Sequence, residues 1–403
     1  MARTFGFLLP SLRPEGLIAG ARKGSGLSDF GPVAFQDGLE AFLRACNDEA
    51  ELSFFGRFAT RWDVRRFLSN LLRLHDEESR APRILEQRIE RPIFIAGLPR
   101  SGTTFLHRLL AEDRTNRVPR VWELIHPYPA PGAIAAGDRR RRVDRQLRMF
   151  QFLAPEFRRV HPIDADSPQE CSEITAHVFA SARFDTTYRI PGYRSWLQRN
   201  GHVEAYRFHK RFVQHLQHQA GGECQWVFKC PDHVFALDAI RTVYPDARLV
   251  FVHRDPLRVL ASNAHLTEVL RRPFTRRIDR QALGRQETEH WGAATELMIE
   301  AADRQPFAEP ILDIHHDDLV GAPLTAICRL YEHFGLDLDR DAARRIDRLV
   351  EANPRGGYGA NQYRFDTYGI DPALERERFA PYVARFSVDC PKNARRSSAF
   401  TPA

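Results

Sequence analysis

The run from Pro92 to Leu110 constrains this chain more than any other stretch of its 403 residues. Arg91-Pro-Ile-Phe-Ile-Ala-Gly97 is a short apolar segment closed by glycine, which is the pattern of a buried strand. A Gly- and Pro-bearing turn follows, and a helix is predicted from Thr103 to Ala111. A strand that passes through such a turn into a helix aims the helix's unpaired N–H groups, and the positive end of its dipole, at whatever fills the turn. Glycines let that occupant approach the backbone closely. Residues 97–104 therefore predict an anion-binding loop.

Similar apolar runs at Trp226–Lys229, Leu249–His253 and Ile311–His315 predict three further strands. Helices are expected from His233 to Val243 and from Pro256 to Leu270, with another beginning near Pro323. Strands alternating with helices predict an α/β fold, a parallel sheet covered on both faces. From Gly38 to about Gln87 the spacing of Leu39, Phe42 and Leu43, then Phe67, Leu68, Leu71 and Leu72, is helical. About 130 residues separate the first two strands, with helical patterns at Arg139–Phe152, Gln169–Phe179 and His202–Gln219. Insertions of that size carry specificity rather than core architecture. The expectation is one domain over 1–403. It comprises a helical extension (1–90), an α/β core (91–335) with a mostly helical insertion (120–225), and a helix-and-loop tail (336–403). From Glu351 onward the tail, rich in Gly, Pro, Tyr and Arg, reads as loop.

Hydrophobic residues make up 43% of the chain, enough for a substantial core and too many for disorder. The net charge of +7 is an arginine excess, concentrated in Arg139–Arg142 and in the stretch from Arg271 to Arg280. Such runs read as solvated faces or as a lure for anionic small molecules, acidic lipids or nucleic acid. No aromatic-interleaved motif supports nucleic acid, so none is expected as a partner. The six cysteines have no C-x-x-C spacing, and the histidines, His315-His316 included, fall in no metal-ligand pattern. Neither a disulfide framework nor a metal is expected. The apolar run at the start stops at Arg13, and no segment approaches the length of a membrane span. A cytoplasmic protein is expected, with peripheral membrane contact and oligomeric state left open.

The loop departs from a Walker A sequence in one telling place. Gly97, Gly102 and Thr104 fall in the register of G-x-x-x-x-G-K-[ST], but Thr103 occupies the lysine position. The loop's cation, Arg100, lies three residues earlier. Without that lysine a β/γ-phosphate loses its main side-chain partner. The strand ending at His253 is followed by Arg254, which suits a further phosphate and would repel a metal ion. Asp255 can cap a helix and Pro256 suits its first turn, so Ser262 lies roughly 9 Å along the helix axis. A long arginine at the strand end and that hydroxyl can converge on one phosphate.

Two motifs carry a family resemblance. Pro99-Arg-Ser-Gly-Thr-Thr104 resembles the 5′-phosphosulfate loop of PAPS-dependent sulfotransferases (PAPS is 3′-phosphoadenosine 5′-phosphosulfate). Leu249-Val-Phe-Val-His-Arg-Asp-Pro256 with Ser262 resembles the family's second signature, which binds the donor's 3′-phosphate. The likeness covers roughly 90 to 335. It implies a P-loop-NTPase-like three-layer fold and sulfuryl transfer from PAPS to a hydroxyl or amine of a small-molecule, sugar or glycolipid acceptor. It also implies Pro99, Arg100, Ser101, Gly102, Thr103, Thr104, Arg254 and Ser262 as donor-binding residues. Arg355 in Arg355-Gly-Gly-Tyr-Gly359 is similar to a C-terminal loop that closes on the 3′-phosphate in cytosolic members. Competing readings are a P-loop kinase or NTPase with a degenerate loop, and a non-catalytic module binding nucleotides or polyanions.

Sulfuryl transfer needs an in-line acceptor, a base for its proton and cations around the transferring group. Arg100 and the hydroxyls of Thr103 and Thr104 suit the leaving phosphate. Lys229 ends a strand of the same sheet and should face the same crevice; it resembles the lysine that stabilises the transition state in Golgi-type members. Three residues compete as base: Glu123, where tyrosylprotein-type members carry a glutamate; His233, close to the lysine; and Glu170, at the start of a predicted helix. Trp122 and Trp226 could stack on adenine or acceptor, or pack in the core.

Overall fold

The structure, a computed structural model, describes residues 11–128, 136–153, 163–352 and 364–388. Its sheet has five parallel strands: β1 (Ile93–Gly97), β2 (Asn116–Arg117), β3 (Gln225–Lys229), β4 (Arg248–His253) and β5 (Leu312–His315). Their order is β2-β3-β1-β4-β5, so β1 lies at the centre and delivers the anion loop to the middle of the sheet's carboxyl edge.

Because side chains alternate along a strand, each central strand feeds two cores. Phe94 of β1 joins Phe228 and Phe251 on one face; Ile93 and Ile95 join Val227, Val250 and Val252 on the other. The first face packs under the N-terminal helices (Pro14–Ser25, Gln36–Asp48, Phe54–Arg80) and under Val203–Ala220, Leu237–Val243 and Arg280–Arg304. The second is covered by Thr103–Leu110, Pro323–His333 and Arg340–Ala352. This is the three-layer arrangement that the alternation of strands and helices predicted.

Several sequence expectations need correction. β2 is a fifth strand; two half-buried polar residues carry no apolar run by which to recognise it. The expected 169–179 helix breaks into Ser172–Thr175 and a 3₁₀ turn, Ala176–Val178, ended by Phe179 at φ 54°. Pro231 opens a 3₁₀ turn, Pro231–Ala236, before the Leu237–Val243 helix. The tail is not all loop: Pro372–Arg378 and Ala380–Phe386 are helices. They dock through Phe379, Tyr382 and Phe386, and the Tyr382 hydroxyl lies 2.8 Å from Nδ1 of His253. The signal was present in Asp371-Pro372, since Asp371 caps the first of these helices with Pro372 in its opening turn.

Candidate active site

The loop after β1 is built so that backbone comes close to whatever it holds. Gly97 has φ 140°, and a Cβ there would lie 2.5 Å from the carbonyl oxygen of Val252. Gly102, at φ 104°, ends the turn. Arg100 takes the left-handed conformation (φ 62°), a strained choice costing about 1 kcal/mol for an L-residue. Pro99 and Thr103 are buried, and Ser101 is wholly buried with no hydrogen-bond partner for its hydroxyl among the described residues. No side chain among the described residues caps the Thr103–Leu110 helix, so its first amides are available to an anion.

Across the loop, Asp255 caps the Pro256–Arg271 helix by accepting from the amide of Leu257 at 3.0 Å. This fixes Arg254 at the strand end, and its Nη1 donates to the carbonyl of Arg100 at 2.6 Å. Its Nε is buried without a hydrogen-bond partner among the described residues. Burial, and then Arg258 and Arg100 nearby, push the Arg254 guanidinium below its usual range. Burial and Arg254 likewise hold His316 below the ordinary histidine value. Crowded cations with orphaned donors are stable when an anion joins them, so this edge of the sheet reads as an anion site. Ser262 is buried on the same helix.

The register pairs Lys229 with Ile95, at the same edge of the sheet. The buried Lys229 Nζ donates to Thr104 Oγ1 at 3.2 Å and to Glu170 Oε1 at 2.5 Å. The amide of Cys171 donates to the carbonyl of Lys229, which ties the insertion to the strand end. Glu170 is partly exposed, and it faces a cavity of about 690 Å³. Pro99 of the loop is in the wall of that cavity, so loop and cavity are continuous. The rest of its lining is mainly apolar, with Trp62, Leu147, Phe235, Leu266 and Trp291 among it.

The sequence model of the Sulfotransferase family matches residues 92–340, more than half of the chain. The chain belongs to the sulfotransferase family. It is 24% identical over 320 residues to omega-hydroxy-beta-dihydromenaquinone-9 sulfotransferase Stf3 of Mycobacterium bovis and of Mycobacterium tuberculosis, an alignment covering 74% of this chain and 75% of theirs. Among solved structures it resembles sulfotransferase STF1 from M. tuberculosis H37Rv (TM-score 0.80, 27% identity, covering 92% of this chain and 98% of that one). It also resembles STF9 from Mycobacterium avium (TM-score 0.85, 24% identity, covering 94% and 97%).

In this sulfotransferase the other two base candidates occupy different surroundings. Glu123 is buried at the start of the Val121–Ile125 helix: its Oε2 accepts from the amide of Arg120 at 2.9 Å, and its Oε1 pairs with Arg117 at 2.5 Å. Its neighbours Val121 and Ile125 line the cavity; Glu123 does not. His233 is wholly buried against Phe94, with Nδ1 2.5 Å from the Tyr206 hydroxyl, and is not in the cavity wall. Burial, with the nearby His209 and Lys229, holds His233 well below the ordinary histidine value and therefore neutral. Trp226 is a core residue, its Nε1 donating to Gln217, and Trp122 stacks beneath the Arg139 guanidinium. Arg355 lies outside the described residues.

Sequence reasoning missed two features. Arg258, in the first turn of the Pro256–Arg271 helix, lies close enough to Arg254 for its charge to act on that guanidinium. The second is a charged network in the cavity wall. Arg66 pairs with Asp63 and Glu173, both at 2.6 Å, and Arg183 pairs with the same two carboxylates at 2.7 and 2.8 Å. Against the effect of burial, Arg183 and Arg66 hold the Asp63 carboxyl down to about 2. The network fastens the insertion to the Phe54–Arg80 helix.

Proposed function

We propose that this sulfotransferase moves a sulfuryl group from PAPS to the hydroxyl of an amphiphilic, lipid-like acceptor. The observation that carries the reading is Lys229, held between the anion loop at Thr104 and the cavity-facing carboxylate Glu170. The loop amides, Ser101, Thr103, Thr104 and Arg100 hold the donor's 5′-phosphosulfate. Arg254, Ser262 and Arg258 hold its 3′-phosphate, for which the orphaned Arg254 Nε supplies a donor.

In the transfer the acceptor oxygen bonds to sulfur as the bond from sulfur to the 5′-phosphate oxygen breaks, and the acceptor proton passes to a base. Glu170 is that base in this reading. It borders the cavity, whereas both oxygens of Glu123 are occupied and His233 is sealed in the core. Lys229 and Arg100 stabilise the charge gathering on the leaving phosphate. The apolar cavity suits a long hydrocarbon acceptor, and the related Stf3 is named for a hydroxylated menaquinone. Incubation with labelled PAPS and a panel of hydroxylated lipids, phenols and sugars tests this. Transfer confined to phenols or sugars would overturn the acceptor class, and failure of PAP, the desulfated donor, to bind would overturn the donor.

A further inference from the structure

Beyond the anion loop, the least usual part of the surface is the outer rim of the cavity. Phe54, Phe58 and Trp62 recur every four residues on the Phe54–Arg80 helix and are 65%, 56% and 45% exposed. Met149 and Phe152, on the Ala136–Leu153 helix, are 64% and 85% exposed. Phe58, Trp62 and Met149 also line the cavity, so they mark its mouth. Large apolar side chains left in water around an opening signal a binding surface.

Arginines adjoin this rim from two segments, the Ala136–Leu153 helix and the stretch from Arg271 to Arg280. Within the second of these, Phe274 stacks its ring on Phe55 at 5.8 Å and on Phe150 at 6.1 Å. Arg276 and Arg277 follow it, and the Arg276 amide is anchored to the carbonyl of Glu51, just ahead of Phe54. Arg145 and Arg148 share the exposed face of the Ala136–Leu153 helix with Met149 and Phe152. These four arginines have no carboxylate partner among the described residues, whereas Arg140 and Arg141 are paired with Asp166 and Asp138.

We infer that this rim is a docking face for a lipid bilayer bearing anionic headgroups. Phe54, Phe58, Trp62, Met149 and Phe152 enter the interface, and Arg145, Arg148, Arg276 and Arg277 meet the headgroups. Aromatic side chains within a ring of unpaired arginines match an acidic membrane surface in both polarity and charge. A protein seated here would close the mouth, whereas a bilayer leaves it facing the phase in which an amphiphile resides. No helix among the described residues is long and apolar enough to cross a membrane, and the proposed contact is with the bilayer surface. The inference rests on the acceptor reading above.

The test is co-sedimentation of the full chain with vesicles of phosphatidylcholine, with and without phosphatidylglycerol, at low and high salt. Neither Phe54 nor Phe152 is part of the cavity wall, so the double variant Phe54→Ser/Phe152→Ser spares the transfer machinery. The wild-type chain should bind the anionic vesicles at least about tenfold more tightly than the neutral ones, and lose most of that margin at high salt. The double variant should weaken vesicle binding about tenfold or more while keeping PAP affinity and turnover of a short, water-soluble hydroxyl acceptor. Arg276→Glu/Arg277→Glu should abolish the preference for anionic vesicles. Wild-type protein that ignores vesicles, or a double variant that binds them undiminished, would overturn the inference. So would a wild-type dimer that the double variant converts to monomer, since the face would then join two copies of the chain. Vesicle binding that persists while PAP binding and transfer fail would instead remove the proposed function and leave the docking face.

Discussion

The anion loop and the apolar cavity, proposed to hold donor and acceptor, share a wall at Pro99, yet they are made in opposite ways. The loop is one contiguous stretch whose binding groups are largely backbone, placed by a central strand, two glycines and an uncapped helix start. The cavity draws its lining from helices of the N-terminal extension, the insertion and the far half of the core, fastened by the Asp63–Arg66–Glu173–Arg183 network. The first can hold only a small set of anions, because amides and arginines in fixed positions select charge and geometry. The second is bounded by side chains, so its shape can change one residue at a time without disturbing the sheet.

The largest expected break in that comparison comes at their junction. Arg100→Ala and Lys229→Ala should each lower kcat by about 10²- to 10³-fold, the usual loss when one preorganised donor to a developing negative charge is removed. Arg100→Ala should also weaken PAP binding measured by calorimetry. A Lys229→Ala enzyme with unchanged kcat would detach the lysine from the chemistry.

Glu170→Gln should lower kcat by about 10²-fold while leaving PAP affinity within a few-fold. Glu123→Gln should instead keep most of its activity and lose about 1–2 kcal/mol of stability in urea unfolding, since it disrupts a helix cap and a buried ion pair. The reverse pattern would move the base to Glu123 and with it the boundary between the two halves.

A bulky residue in the cavity should separate the halves more finely. Leu266→Trp should raise KM for a long-chain acceptor about tenfold and leave PAP affinity alone. If it weakened PAP binding as much, the cavity would be part of the donor site.

The smallest effect per residue is one that both halves share. Burial holds His107, on the buried face of the loop helix, and His126 and His177, in the insertion, near a pKa of about 3. A histidine whose folded pKa is depressed contributes stability above its unfolded value of about 6.5 and loses it as pH falls toward the folded value. Between pH 7 and pH 6 each should cost about 0.7 kcal/mol. Thermal unfolding followed across that range checks it, and His177→Phe should flatten part of the slope.

The sequence determined the α/β class, four of the five strands and the anion loop, because these depend on local patterns. An apolar run closed by glycine can be read within one segment, as can hydroxyl residues at a helix start or a capping Asp-Pro after a strand. Lys229 at a strand end and Arg254 before a capped helix were legible for the same reason. Only the tertiary structure separated the base candidates. Glu123, His233 and Glu170 can each take a proton, and they differ in what folds around them: a helix start with the Arg120 amide and an ion pair with Arg117, a sealed pocket against Phe94, and an open cavity beside Lys229. The cavity itself was likewise decided in three dimensions. Its walls are brought together by packing between residues more than 200 positions apart, and no local periodicity records which faces will meet.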